Sequence, residues 1–208
     1  MKNKESYYIT VKTFILHYSL VFLLFSFLSF NSACQPSIKM GNLLFHVSEE
    51  PNAITDVTGG LMIDHVAIAV SEDSVIEAIG RGVVITPIKD IMQQPGHYLI
   101  ARVRKADGKQ SVANARHYLG CAYDSLFLPD NDAIYCSELV QSSFVNKKGD
   151  RLFEPIPMSF HDSTGVITPY WQAFYARQGM KVPEGEPGTN PSELARRHQI
   201  VFRSSRPY

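Results

Sequence analysis

The chain has 208 residues, 45% of them hydrophobic and 19% charged. One domain with a real core is the expectation from that composition. Its 20 basic and 20 acidic side chains give a formal net charge of zero, which excludes a global field for nucleic acid, and no nucleic-acid partner is expected.

The first 33 residues stand apart from that domain. Lys2, Lys4 and Lys12 make a positive start, and Thr13 to Phe30 is apolar, with His17 as its only titratable side chain apart from Tyr18. This is the pattern of a secretory signal. Asn31-Ser32-Ala33-Cys34 resembles the lipobox of bacterial lipoproteins, with Asn31 where such boxes carry an apolar residue. Lipidation of Cys34 is the favoured outcome. Cleavage near Ala33 and retention of the apolar run as an anchor are the alternatives. Each route exports residues 34–208, expected to form a single domain at the cell envelope, tied to the membrane by an N-terminal lipid or anchor.

Gly41 to Val47 reads as a short strand after a turn, and Glu49 to Gly60 as a loop able to wall a groove. Ile63 to Val70 is rich in β-branched residues and reads as a core strand with His65 near its start. A turn at Ser71 to Ser74 leads to an antiparallel strand, Val75 to Ile79, carrying Glu77. Counted from Asp73, His65 lies eight residues back and Glu77 four on, so contact between them is allowed without being direct opposition. Val83 to Thr86, ending at Pro87, and His97 to Val103 complete a meander of four or five strands, with one face free for helices.

Helices follow. Ser111 to Leu119 carries an apolar stripe closed by Gly120, and Cys136 to Asn146 places Leu139, Val140 and Phe144 on one face. Pro169 to Gln178 and Pro191 to Arg197 each open with proline, and Gln199 to Phe202 reads as a terminal strand. Tyr170, Trp171, Phe174 and Tyr175 form a helix stripe that faces the core, or alternatively walls an apolar acyl pocket.

Cys136 enters its helix through Tyr135 and is followed by Ser137 and Glu138. A helix start favours the thiolate that carries cysteine chemistry. A cysteine nucleophile needs an imidazole, and the imidazole needs an acceptor to hold it; His65 and Glu77 are the candidates. The competing reading pairs Cys121 with Cys136 in a disulfide. The remaining histidines lack zinc spacing, no glycine-rich turn precedes a helix, and no cofactor or metal is expected.

The segments Gly41-Asn42-Leu43-Leu44-Phe45, Asp64-His65-Val66-Ala67, Val75 to Gly80, Tyr118 to Asp124 and Tyr135-Cys136-Ser137-Glu138-Leu139-Val140 resemble, in order and spacing, the YiiX/YebB-like permuted NlpC cysteine hydrolases. These are papain-like proteins related to the lecithin:retinol acyltransferase group. His65 precedes Cys136 by 71 positions, the reverse of the unpermuted order and the order of the permuted subgroup. The resemblance implies an α+β, permuted papain-like fold, an antiparallel meander sheet packed against a cysteine-bearing helix. It implies Cys136 as nucleophile, His65 as base, Glu77 as third member and Tyr123 as a residue lining the site. Asn42 and Cys121 depart from the family pattern. The activity implied is cleavage of an amide in a cell-wall peptide or related amino-acid conjugate. The alternatives are a lipid acyl hydrolase or acyltransferase, and a non-catalytic binding lipoprotein.

Overall fold

The computed structural model describes residues 37–58 and 61–203. The expected export signal, Cys34 and the Gly59-Gly60 pair lie outside the described residues.

Strand β1 (Leu43–Val47) is followed by β2 (Ile63–Ala69), β3 (Ser74–Ile79) and β4 (Gly82–Pro87). A short helix, α1 (Ile88–Ile91), leads to β5 (His97–Val103), and α2 (Gly108–Arg116) follows. Next come β6 (Ala122–Tyr123), β7 (Ala133–Ile134), α3 (Cys136–Ser143) and β8 (Ile156–Pro157). The chain ends with α4 (Pro169–Arg177), β9 (Pro187–Gly188), α5 (Pro191–Arg196) and β10 (Ile200–Phe202).

Six strands form one antiparallel sheet in the order β10-β5-β1-β2-β3-β4. β1-β2-β3-β4 is a four-stranded meander of sequence neighbours, and β5 does not extend it. β5 crosses back to β1, where its backbone satisfies the edge that Leu43, Leu44 and Phe45 would otherwise expose. The sheet is covered on both faces rather than one. Leu43, Phe45, Val66, Ile68 and Ile76 pack with Leu139 and Val140 of α3, Phe144 just after it, Val112 of α2 and Leu194 of α5. Leu44, Ala67, Ala69, Val75, Tyr98 and Ile100 form a second layer closed by Ile91 of α1. Consecutive apolar residues in β1 and β2 therefore need no polar alternation.

Two helices differ from their expected bounds for identifiable reasons. Asp107 caps α2 by accepting the Gln110 backbone N–H at 3.0 Å, so the helix starts at Gly108 and ends before His117. Helix α3 stops at Ser143 because Phe144 turns to extended backbone and is fully buried. Gly82 has a φ of +97° and a side chain there would sit 2.5 Å from the Cys121 carbonyl oxygen. That close approach lets Val83 N–H bond Cys121 O at 2.9 Å, bringing the segment before Tyr123 alongside β4.

Phe45 is fully buried and Ile85 is 40% exposed. Phe45→Ala should lower the unfolding free energy by about 3–5 kcal/mol in urea titration, whereas Ile85→Ala should cost less than about 1 kcal/mol.

Candidate active site

The site forms where β2 and β3 meet the start of α3. The paired residues Ile68↔Ile76 and Ala69↔Val75 fix the hairpin register. Carried on, that register sets Glu77 opposite Ala67 and one diagonal step from His65 on the same face of the hairpin, a separation that long side chains bridge. The bridge is made: His65 Nε2 lies 2.8 Å from Glu77 Oε2. Glu77 is 3% exposed and His65 19%. Cys136 is the other neighbour that raises the His65 pKa, so the ring lies between a carboxylate and a thiol.

Burial works against charge on His65, but the influence of Cys136 and of the hydrogen-bonded Glu77 carboxylate prevails and pushes it up to about 10. Burial likewise disfavours the Glu77 carboxylate, and here the hydrogen bond and charge of His65 prevail, holding it below the usual carboxylate range, with help from Thr86 and Arg81. The pair is therefore an imidazolium on a carboxylate across neutral pH. A positive ring beside the sulfur is the electrostatic partner that a thiolate needs.

Cys136 is the first residue of α3 and is 5% exposed. Several contacts fix this turn. Tyr135 N–H donates to Glu138 Oε2 at 3.4 Å, Thr189 N–H donates to Tyr135 Oη at 3.0 Å, and Ser137 Oγ donates to the Thr189 carbonyl at 3.3 Å. Burial, opposed by the Tyr135 N–H, pushes the Glu138 carboxyl up to about 7. Cys121 and Cys136 are both free thiols, so the disulfide alternative is not formed.

Tyr123 sits on β6, which pairs in parallel with β7, the strand that delivers the chain to Cys136. It borders both the recess at Cys136 and the groove at His65. Burial, then the charges of Cys136 and Asp124, raise its pKa and keep the hydroxyl protonated.

The aromatic stripe of α4 faces an apolar cluster and borders a recess. Trp171 and Tyr175 are buried, and Trp171 also walls the recess at Cys136. Their polar tips pin two loops: Trp171 Nε1 donates to the Ala53 carbonyl at 3.1 Å, and Tyr175 Oη to the Leu126 carbonyl at 2.8 Å. The loop after β1 does form a groove wall, through Asn52, Ala53 and Ile54.

A second polar group at the site was not singled out from sequence. A bulge in β2 puts His46 opposite His65 and Val47 opposite Ile63, leaving Asp64 as the extra residue. Asp64 Oδ1 lies 2.6 Å from His46 Nδ1, and Asn52 Nδ2 donates to Asp64 Oδ2 at 2.8 Å. His46 Nε2 meets the Pro95 carbonyl at 2.8 Å. Both ring nitrogens thus face acceptors, and the Asp64 hydrogen bond, against burial, raises the His46 pKa. The available signal was the Asp beside His65, but its partners come from two distant segments.

Comparison with known proteins follows from this geometry. The family model described as "Permuted papain-like amidase enzyme, YaeF/YiiX, C92 family" matches residues 37–202. The uncharacterized protein YiiX of Escherichia coli (strain K12) is 32% identical over 127 residues, covering 58% of this chain and 61% of that protein. The chain therefore spans about three-fifths of the length of this curated relative. The crystal structure of metalloprotein yiiX from Escherichia coli O157:H7 aligns with a TM-score of 0.65 and 25% identity, over 82% of this chain and 99% of that one.

Glu77→Gln removes a charge that raises the His65 pKa, so that pKa should fall by about 1–3 pH units. Ring-nitrogen NMR titration measures it directly; an unchanged value would show that Glu77 does not hold the imidazolium.

Proposed function

This chain belongs to the permuted papain-like amidase family, a family of cysteine amidases, and from that premise we propose that Cys136, His65 and Glu77 cleave a carboxamide through a thioester on Cys136. The observation that carries the proposal is the shared imidazole, hydrogen-bonded to the Glu77 carboxylate and close enough to the Cys136 thiol for the sulfur to raise its pKa.

Cys136 attacks as thiolate, its sulfur bonding the carbonyl carbon while His65 stays protonated. The backbone N–H groups at the start of α3 lack partners within their own helix, and that of Cys136 lies beside the attacked carbon, where it stabilises the oxyanion. As the C–N bond breaks, the His65 imidazolium gives its proton to the departing amine. His65, now neutral, takes a proton from water, the hydroxide adds to the thioester carbon, and the carboxylic acid leaves as Cys136 regains its thiolate. Glu77 fixes the ring and stabilises its charge throughout. Tyr123, protonated and at the boundary of both spaces, lines the reacting group.

The amide belongs to a peptide or an amino-acid conjugate in this reading. The N-terminal sequence supports export, with residues 1–33 as signal and Cys34 as the lipid-bearing residue, so the enzyme works at the cell envelope. One solved relative is titled a metalloprotein. Among the described residues of this chain no three His, Cys, Asp or Glu side chains form a metal-ion site, and no step above is routed through a metal.

Cys136→Ala and His65→Ala should each lower amide hydrolysis by roughly 10⁴-fold or more while leaving the fold intact by circular dichroism. In the unaltered protein the fall of kcat/KM at alkaline pH should lie near 10, because His65 must hold its proton for the leaving amine. Full activity in Cys136→Ala, or an alkaline limb near pH 6–7, would contradict the mechanism.

A further inference from the structure

Helix α3 gives one face to the sheet and another to a separate pocket. Leu139 and Val140 pack into the main core, while Glu138 and Gln141, spaced i and i+3, border a pocket of about 920 Å³ counted to its open mouth. No residue lining this pocket lines the recess at Cys136 or the groove at His65. Tyr118 and Ile134 give it an apolar wall, and Asp130 and Arg151 border it with charges of opposite sign. The polar groups here are unspent. Gln141 is 7% exposed, and its Nε2 is buried without a hydrogen-bond partner, which folded chains seldom leave standing. A turn of the terminal amide about its soft last torsion presents Nε2 to the pocket. Glu138 uses only Oε2, on the Tyr135 N–H. Glu138, Asp130 and Arg151 enter none of the ion pairs among the described residues.

We propose that this pocket is a second binding site, which takes a free amino acid as its zwitterion, the ammonium on Glu138 and the carboxylate on Gln141 and Arg151. It does not depend on the thiol-hydrolase reading of Cys136. A simple anion would meet Arg151 but also the carboxyl groups of Glu138 and Asp130. A simple cation would meet those carboxyl groups but leave the Gln141 donor unanswered beside Arg151. A metal ion lacks its ligands, since no three His, Cys, Asp or Glu side chains among the described residues form a metal-ion site. The zwitterion answers both signs at once, with charge-assisted hydrogen bonds at each end. Burial, reinforced by the charges of Asp124 and Asp130, holds the Glu138 carboxyl up at about 7, and an ammonium there supplies the positive charge that Glu138 lacks. The groups facing Glu138 are Asp124, Asp130 and Tyr135, with Tyr118 and Arg151 bordering the same pocket. Affinity therefore rises as pH passes upward through about 7, where Glu138 ionises.

Saturation-transfer NMR on the full chain tests this with L-leucine as the probe, whose aliphatic side chain suits the wall of Tyr118 and Ile134. Isopentylamine and isocaproate carry the same side chain with one charge removed. Leucine should bind at least about tenfold more tightly than either, the effect of losing one charged hydrogen bond. Arg151→Ala, at an exposed residue, and Glu138→Gln, which keeps an acceptor for the Tyr135 N–H, should each weaken leucine by about tenfold or more. Leucine affinity should rise from about pH 5.5 to about pH 8 in the unaltered protein and stay level in Glu138→Gln. Blocking Cys136 with iodoacetamide should leave leucine binding unchanged. No binding, binding no tighter than that of both analogues, or binding lost on blocking Cys136 would overturn the second site. Tighter binding at the lower pH would also overturn it, as the mark of a plain anion site. None of these outcomes touches the hydrolytic reading of Cys136, which amide turnover decides.

Discussion

The site depends on one imidazole meeting two demands. His65 must be bonded to Glu77 and face Cys136 at the same time, and these groups come from a hairpin and from a helix that starts 57 residues after that hairpin ends at Ile79. The 2.8 Å contact to Glu77 settles the first demand within the hairpin. It does so at a carboxylate that is almost wholly buried, where an unpaired charge would be costly. The second demand is met by packing. Leu139, Val140 and Phe144 seat α3 on the sheet, and the contacts around Tyr135 and Thr189 fix its first turn. Neither half is a reactive site alone. Together they hold an imidazolium beside a sulfur and keep it charged well above neutral pH.

Around that core the molecule builds a wall from parts that bury little of the sheet. Helix α4, the segment around Met158 and Phe160 and the loop after β1 form a separate apolar cluster. The cluster is bound together by edge-on aromatic contacts, such as Phe160 with Trp171 at 5.3 Å and Phe127 with Trp171 at 5.6 Å between ring centroids. These contacts hold the wall together as a cluster separate from the main core. The polar His46-Asp64-Asn52 group borders the open groove of the same site, and its charges are satisfied internally.

Local pattern made much of this legible. β-branched runs marked the hairpin strands, and His65 and Glu77 lie on strands whose register brings them together. The sequence Tyr135-Cys136-Ser137-Glu138 marked a helix start, and α3 begins at Cys136. The permuted order, with His65 ahead of Cys136, pointed to the family that the comparisons show. What escaped was non-local. That β5 pairs with β1 depends on a crossover through α1, which no periodicity records. The helix expected from Ser111 starts at Gly108, because the cap at Asp107 lies outside the apolar stripe and a cap and a turn share the same residue types. The stripe around Trp171 allows both readings, buried cluster and recess wall, and its spacing alone does not choose between them. Asp64 was quoted as the neighbour of His65 but given no role, since its role comes from His46 and Asn52, brought to it by a bulge and a loop.

The account turns on Cys136 being a thiolate held by His65, and that can be measured without any substrate. Iodoacetamide applied at pH 5.5, with the alkylated cysteines resolved by peptide mapping, compares Cys136 with Cys121 in the same molecule. The account predicts that Cys136 is alkylated far faster than Cys121, and that His65→Ala abolishes the difference. Equal, slow labelling of both cysteines, or fast labelling of Cys136 that survives His65→Ala, would contradict it.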